Sequence, residues 1–393
     1  MSEPGAKDRT IAAHAGNHPH EHQGVVNPPV YRASTVLFPT VQELRERYGR
    51  KYEAITYGRD GTQTHRALAE AFTTLEGSER ALVLPSGVAA VATALLGSLN
   101  PGDHLLMVDT AYEPTREICE GFLRRIGVET TYYDPMLGAG VATLIRPNTK
   151  AIYMESPGSL TFEIQDIPAI VAAAKQAGCR TILDNTWATP LFFKPPRFGI
   201  DLAVYSASKY IGGHSDLMMG ILTFPAALHK TLGKLAHGYL GHASSADDAY
   251  AALRGLRTLH ARLTQHQATG LALARWLAVQ PEVEQVLHPA LPGTPGHEFW
   301  QRDFSGASGL FGFVLKPVAM ERVDAMLNGM KLFGMGYSWG GYESLMIRAD
   351  LKSSRTAKPW HAVGRTLRIS AGLEDPDDLI ADLAAGLARL HGN

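Results

Sequence analysis

Cysteine is nearly absent: Cys119 and Cys179 are the only two in 393 residues, so no disulfide framework holds this chain, and a reducing compartment is implied. Long apolar runs are missing as well. Nothing approaches the roughly 18 uninterrupted apolar residues of a membrane-spanning helix. The polar N-terminus MSEPGAKDRTIAAHAGNHPHEHQG has no apolar core followed by a small-residue cleavage site, which argues against secretion and for the cytoplasm. Neither sign of charge is in surplus, with 37 Lys and Arg against 38 Asp and Glu. Such a balance offers no basic field to a phosphate backbone, which argues against nucleic acid as a partner. There is no internal repeat.

What is present describes an ordinary globular protein, 45% apolar and 19% charged, long enough that two domains are expected rather than one. Between residues 80 and 205 short β-type runs alternate with amphipathic stretches, the pattern of a parallel sheet covered by helices. The strands are expected at Ala81 to Leu84, His104 to Val108, Thr130 to Tyr133, Ala151 to Glu155, Thr181 to Asp184 and Leu202 to Tyr205. Helices are expected from Val88 to Leu99, stopped by Asn100-Pro101-Gly102, and from Ile167 to Ala177, stopped by Gly178. The Pro-containing, weakly periodic first 60 residues read as an extended arm. A division is expected on this pattern: an arm over 1–60, an α/β domain over 61–255 and a C-terminal α+β domain over 256–393. The Pro- and Gly-rich stretch from Leu287 to Gly306 reads as a long surface loop, and a last helix begins at Asp375-Pro376, an N-cap followed by proline.

Three short stretches carry chemistry. In DLAVYSASKYIGGHSD (201–216) Lys209 follows a buried-looking strand, between Ser206, Ser208 and the pair Gly212-Gly213. A desolvated amine of this kind condenses with aldehydes, although a snorkelling stem also explains a lysine there. In TILDNTWATPLF, Asp184 ends another strand, with Thr186 and Trp187 behind it. A carboxylate so placed suits a protonated pyridine ring; it also suits a helix cap or a turn. In LVLPSGVAAVATAL (82–95) a strand passes through Ser86-Gly87 into a helix, whose unpaired first amides and positive dipole end bind phosphate. By itself the pair is a weak motif that capping alone explains. The N-terminal HPHEH (18–22) has the composition of a metal site but lies in a polar arm without a partner cluster, so no metal is expected.

Taken in order, Ser86-Gly87, ESPGSLTFEIQD (155–166), LDNTWATP (183–190) and SASKYIGGHSD (206–216) resemble the pyridoxal-phosphate (PLP) dependent transsulfuration, or Cys/Met metabolism, enzymes. The resemblance extends from VNPPVYRASTVLF (26–38) through YGRDGTQTHRALAEAFTTLEG (57–77) to LRISAGLEDPDDLIADL (367–383), nearly the whole chain. It implies an aspartate aminotransferase-like, fold type I architecture: an α/β domain with a mostly parallel sheet between helices, and a smaller α+β C-terminal domain. It implies PLP carried on Lys209, with Asp184 at the ring nitrogen. Ser86, Gly87, Val88, Ser206 and Ser208 would hold the phosphate, with Thr186 beside the cofactor. Val88 stands where the family usually has methionine. Tyr112 would stack on the ring, and Tyr57 and Arg59 would reach the phosphate of a neighbouring subunit, making a homodimer or homotetramer with shared sites. Lys209, Tyr112 and Tyr57 are thus the candidate catalytic residues.

Arg368, in the middle of an apolar strand where an unpaired charge is expensive, is the candidate for the substrate carboxylate; a structural salt bridge competes. Ser338 in MGYSWGGYESL (335–345) would assist it. Many γ-cleaving members resemble this stretch but carry glutamate at the place of Tyr337 and leucine at that of Trp339. The bulkier, uncharged pair favours β-cleavage of L-cystathionine to homocysteine, pyruvate and ammonia, a step of methionine biosynthesis. The alternatives are a γ-acting member (cystathionine γ-lyase, cystathionine γ-synthase or methionine γ-lyase), an aminotransferase or racemase side activity, and a non-catalytic PLP-fold binding module.

Overall fold

The computed structural model describes residues 5–351 and 354–392. The chain divides into two compact units. The first comprises Met1–Pro101, Arg180–Gly212 and Asp216–His260; the second comprises Gly102–Cys179, Gly213–Ser215 and Ala261–Asn393.

In the first unit, β1 (Arg80–Leu84) pairs antiparallel with β7 (Gly220–Phe224), β7 antiparallel with β6 (Leu202–Ser206), and β6 parallel with β5 (Arg180–Asp184). The β7 strand is absent from the expectations above. It is short, apolar and buried throughout, so it has no alternation to betray it. The helix Gly87–Leu96 follows β1 directly and is capped by Ser86, whose Oγ accepts from the amide of Ala89 at 3.0 Å. Gly220 permits the close approach of β7 to that turn, since a Cβ there would stand 2.1 Å from the Ser86 carbonyl oxygen. The first 60 residues contain the helices Asp8–His14 and Val41–Gly49, which the weak periodicity did not announce. Arg257 ties the first of them down, donating to the carbonyls of Ala12 and Ala15 at 2.9 and 2.7 Å.

In the second unit, β2 (His104–Val108) pairs in parallel with β3 (Glu129–Tyr133) and β4 (Thr149–Glu155). A separate antiparallel sheet runs β10 (Leu345–Arg348), β11 (Thr366–Ser370), β9 (Leu310–Leu315), β8 (Val283–Leu287). Its apolar face packs Phe311, Phe313, Leu367 and Ile369 against Leu273 and Leu277 of the helix Ala246–Leu277 and against Leu379 and Leu383 of the last helix, Pro376–Arg389. The stretch expected as a loop between Leu287 and Gly306 contains the short helix His297–Asp303. Among the described residues no helix is long and apolar enough to cross a membrane.

Candidate active site

Within the first unit, parallel pairing of β5 with β6 sets Asp184 opposite Val204 and brings the two strand ends together. Thr186 joins them: its amide donates to Asp184 Oδ1 at 2.9 Å, and its Oγ1 accepts from the amide of Ser206 at 2.9 Å. Burial pushes the Asp184 carboxyl up from the usual range, against the pull of the Thr186 hydrogen bonds. A cation facing it would reverse that push. Lys209 lies on the turn leaving β6, its amide donating to the Ser206 carbonyl at 3.1 Å.

Beside these residues, the start of the helix Gly87–Leu96 meets Ser206 so closely that a Cβ on Gly87 would stand 2.8 Å from Ser206 Cβ. This bare-backbone cradle at a helix N-terminus is suited to an anion. Ser86 spends its oxygen on the helix cap, and Val88 is exposed. Ser208 is already engaged, donating to the Met219 carbonyl at 3.3 Å and accepting from its amide at 2.9 Å. Tyr57 pairs with Thr35 in an isolated bridge. The Arg59 guanidinium lies 5.7 Å from the Tyr57 ring centre and 3.7 Å from Asp60.

Beneath the strand ends lies a buried polar network. Asn185 donates to the Tyr205 hydroxyl at 2.9 Å, and the hydroxyls of Tyr205 and Thr223 donate to Glu76. Burial raises the Glu76 carboxyl.

Within the second unit, Tyr112 is half exposed, and its amide donates to Glu155 Oε2 at 2.7 Å, whose other oxygen accepts from Ser159 at 2.7 Å. Glu155 was visible in the sequence only as a polar residue ending a strand; a carboxylate spent on a backbone amide leaves no motif. Arg368 occupies the centre of β11 and is 9% exposed. Its Nη2 donates to the carbonyls of Gly336, Tyr337 and Ser338 at 3.1, 3.0 and 3.0 Å. Among the described residues its Nε has no hydrogen-bond partner, and burial lowers the guanidinium to about 10. A buried cation with a spare donor calls for an anion. Ser338 and Tyr337 are exposed and Trp339 is partly buried. In the arm, the HPHEH stretch yields an ion pair of His18 with Glu70 at 2.8 Å, and no group of three metal-ligating side chains occurs among the described residues.

An α/β fold with a lysine and a carboxylate at neighbouring strand ends, beside a helix start without room for a Cβ, fits a phosphate-bearing aldehyde cofactor. The chain belongs to the Cys/Met metabolism PLP-dependent enzyme family, whose model matches residues 9–388. It is 44% identical over 388 residues to the cystathionine β-lyase MetC of Escherichia coli, covering 97% of this chain and 98% of that protein. It is 42% identical over 396 residues, 98% of each, to the L-alanine/L-glutamate racemase of Wolbachia pipientis wMel. Among solved structures, cystathionine γ-synthase from Xanthomonas oryzae pv. oryzae, in complex with aminoacrylate and cysteine, superimposes with a TM-score of 0.90. That match has 32% identity and covers 99% of both chains. The fold is accordingly that of the PLP-dependent fold type I enzymes.

Proposed function

We propose that this protein is a PLP-dependent carbon–sulfur lyase that cleaves L-cystathionine to homocysteine, pyruvate and ammonia. The observation that carries the reading is the extent of identity with a cystathionine β-lyase, 44% across 97% of the chain. The buried Arg368 with its spare Nε supports an α-carboxylate as the group received.

When bound, PLP supplies an electron sink for a carbanion at Cα. Lys209 would carry it, Asp184 would pair with its ring nitrogen, Ser86, Gly87 and Val88 with Ser206 and Ser208 would hold its phosphate, and Thr186 would stand beside it. Tyr112, whose amide donates to Glu155, would stack on the ring. Arg368 takes the substrate carboxylate, with Ser338 beside it and Tyr337 and Trp339 limiting reach. Lys209 removes the proton from Cα and then delivers a proton to the departing sulfur. Tyr57 and Arg59, at the end of an arm over 1–60, serve the phosphate of a neighbouring subunit, so the working form is a homodimer or homotetramer. The remainder is divided between domains over 61–255 and 256–393, and the enzyme works in the cytoplasm.

The 42% identity to an L-alanine/L-glutamate racemase supports a second reading, because a Cα proton removed on one face and a proton delivered to the other face by a second acid–base group inverts the centre. The test is product analysis. With L-cystathionine, pyruvate and homocysteine should dominate over 2-oxobutyrate and cysteine; dominant 2-oxobutyrate would overturn the β-lyase reading. Chiral chromatography after incubation with L-alanine and L-glutamate decides the second, since a turnover there exceeding that on cystathionine would make racemisation the main activity.

A further inference from the structure

The turn that leads the chain away from Lys209 is fixed by groups outside the set just assigned. Gly213 has φ +73°, and a Cβ on it would stand 2.0 Å from the Arg262 guanidinium. Ser215 has φ +57°, a conformation that a residue with a side chain keeps only when its surroundings hold it there. What holds it is Glu343: Ser215 Oγ donates to Glu343 Oε1 at 2.6 Å, a short, charge-assisted bond. Gly341 makes the meeting possible. A Cβ at that position would stand 2.1 Å from Ser215 Oγ and 2.5 Å from Glu343 Oε2.

Glu343 is itself mounted on a rigid segment. The amide and hydroxyl of Ser344 donate to Glu374 at 2.7 and 2.8 Å, and the same hydroxyl accepts from the Gly372 amide at 2.9 Å. The Leu373 amide donates to the Tyr342 carbonyl at 2.8 Å, and the Gly340 amide donates to Ser370 Oγ at 3.3 Å. These bonds fasten the segment around Glu343 to the end of β11, the strand whose Arg368 grips the carbonyls of Gly336, Tyr337 and Ser338. One stretch of chain therefore carries both the backbone partners of the arginine and the carboxylate that orients the turn after the lysine.

We propose that Glu343 is a positioning residue: through Ser215 it fixes the turn that follows Lys209 in the chain and with it the stroke of Lys209. The inference rests on the reading of Lys209 as the proton-transfer group. Glu343 touches neither substrate nor cofactor in this scheme. Its contribution is geometric, and small misplacements of a proton-transfer group are costly in rate.

The test uses the cofactor-loaded protein and the variants Glu343→Ala, Glu343→Gln and Ser215→Ala. With Glu343→Ala and Ser215→Ala, kcat on cystathionine should fall roughly tenfold or more while KM moves less than about twofold. Amides over residues 210–216 should exchange with deuterium faster, at unchanged cofactor content. Glu343→Gln, whose amide oxygen can accept the same bond, should recover most of kcat. Ser215 is exposed, so its truncation gives a folded variant even if Glu343→Ala does not. A Glu343→Gln protein as slow as Glu343→Ala, or a KM effect at unchanged kcat, would overturn the proposal. If cystathionine proves not to be a substrate, the exchange experiment still decides: unaltered exchange over 210–216 in all the variants sinks the positioning role independently of the reaction.

Discussion

Arg355 reaches Asp109 across the second unit, its Nε 3.5 Å from Asp109 Oδ2 while its Nη1 donates to Glu163 at 2.9 Å. Both partners in the first contact are nearly sealed from solvent, with side chains 2% and 0% exposed. Asp109 also receives the Arg116 guanidinium at 3.2 Å and the amides of Thr356, Ala357 and Lys358 at 2.9 to 3.0 Å. Burial alone would raise its carboxyl, but these donors prevail and hold it below the usual carboxylate range. Because Asp109 lies on the turn from β2 to Tyr112, the network couples packing to the presentation of that ring.

Removing Arg355 takes the cation from buried Glu163 and leaves Asp109 with Arg116, so Arg355→Ala should destabilise by about 3–5 kcal/mol, the usual penalty for half of a buried ion pair. The exposed pair of Arg146 with Glu129, whose side chains are 48% and 70% exposed, is the control, and Arg146→Ala should cost about 1 kcal/mol or less. Urea unfolding of both variants checks the contrast. Equal losses would mean that Arg355 is not sustaining the network.

The sequence carried the parts of the site that have local signatures. Asp184 and Lys209 each follow a recognisable strand, Ser86 caps a recognisable helix, and Arg368 interrupts an apolar run, so a charge in the wrong place pointed to its use. The β7 strand escaped because a short run buried on both faces has no period to read. The ties that orient the site escaped for a different reason. Arg355 meets Asp109, Glu155 meets the Tyr112 amide and Glu343 meets Ser215 across long stretches of chain, and in two of these cases one partner is a backbone group or a simple hydroxyl. Such pairings leave no spacing rule in the sequence, and only the fold reveals them.

The carboxyl of Glu76 gives a pH dependence with a definite sign. Burial raises it above its ordinary 4.5 in the folded chain, so the folded state binds the proton more tightly than the unfolded state does. Its stabilising contribution is fully present below about pH 4.5 and is lost as pH rises through the folded value. Glu76→Gln keeps an acceptor for the Tyr205 and Thr223 hydroxyls but has no proton to lose. The thermal midpoint of Glu76→Gln minus that of the wild type should therefore climb with pH from about 4.5 upward. A difference that stays flat across the same range would show that Glu76 ionises as an ordinary surface carboxyl does.

The choice between β- and γ-cleavage can be tested at Tyr337 without disturbing the fold. The residue is 92% exposed, which removes the objection that it is only a packing residue in this chain, while its carbonyl is fixed by Arg368 at 3.0 Å. The main chain thus holds residue 337 next to the guanidinium proposed to take the substrate carboxylate, whatever side chain stands there. Substitution at so exposed a site should change stability by no more than about 0.5 kcal/mol. A glutamate would add a carboxylate able to attract the distal amino group of a γ-substrate, and an exposed charge pair is worth up to about 1 kcal/mol. Tyr337→Glu should accordingly raise the ratio of 2-oxobutyrate to pyruvate formed from cystathionine by up to about fivefold, a gain that salt should diminish by screening. The wild type would keep pyruvate as its main product at every salt concentration. If the ratio in Tyr337→Glu equals that of the wild type at low salt, residue 337 does not select the bond, and the bulk of Trp339 becomes the remaining candidate, tested in the same assay with Trp339→Leu.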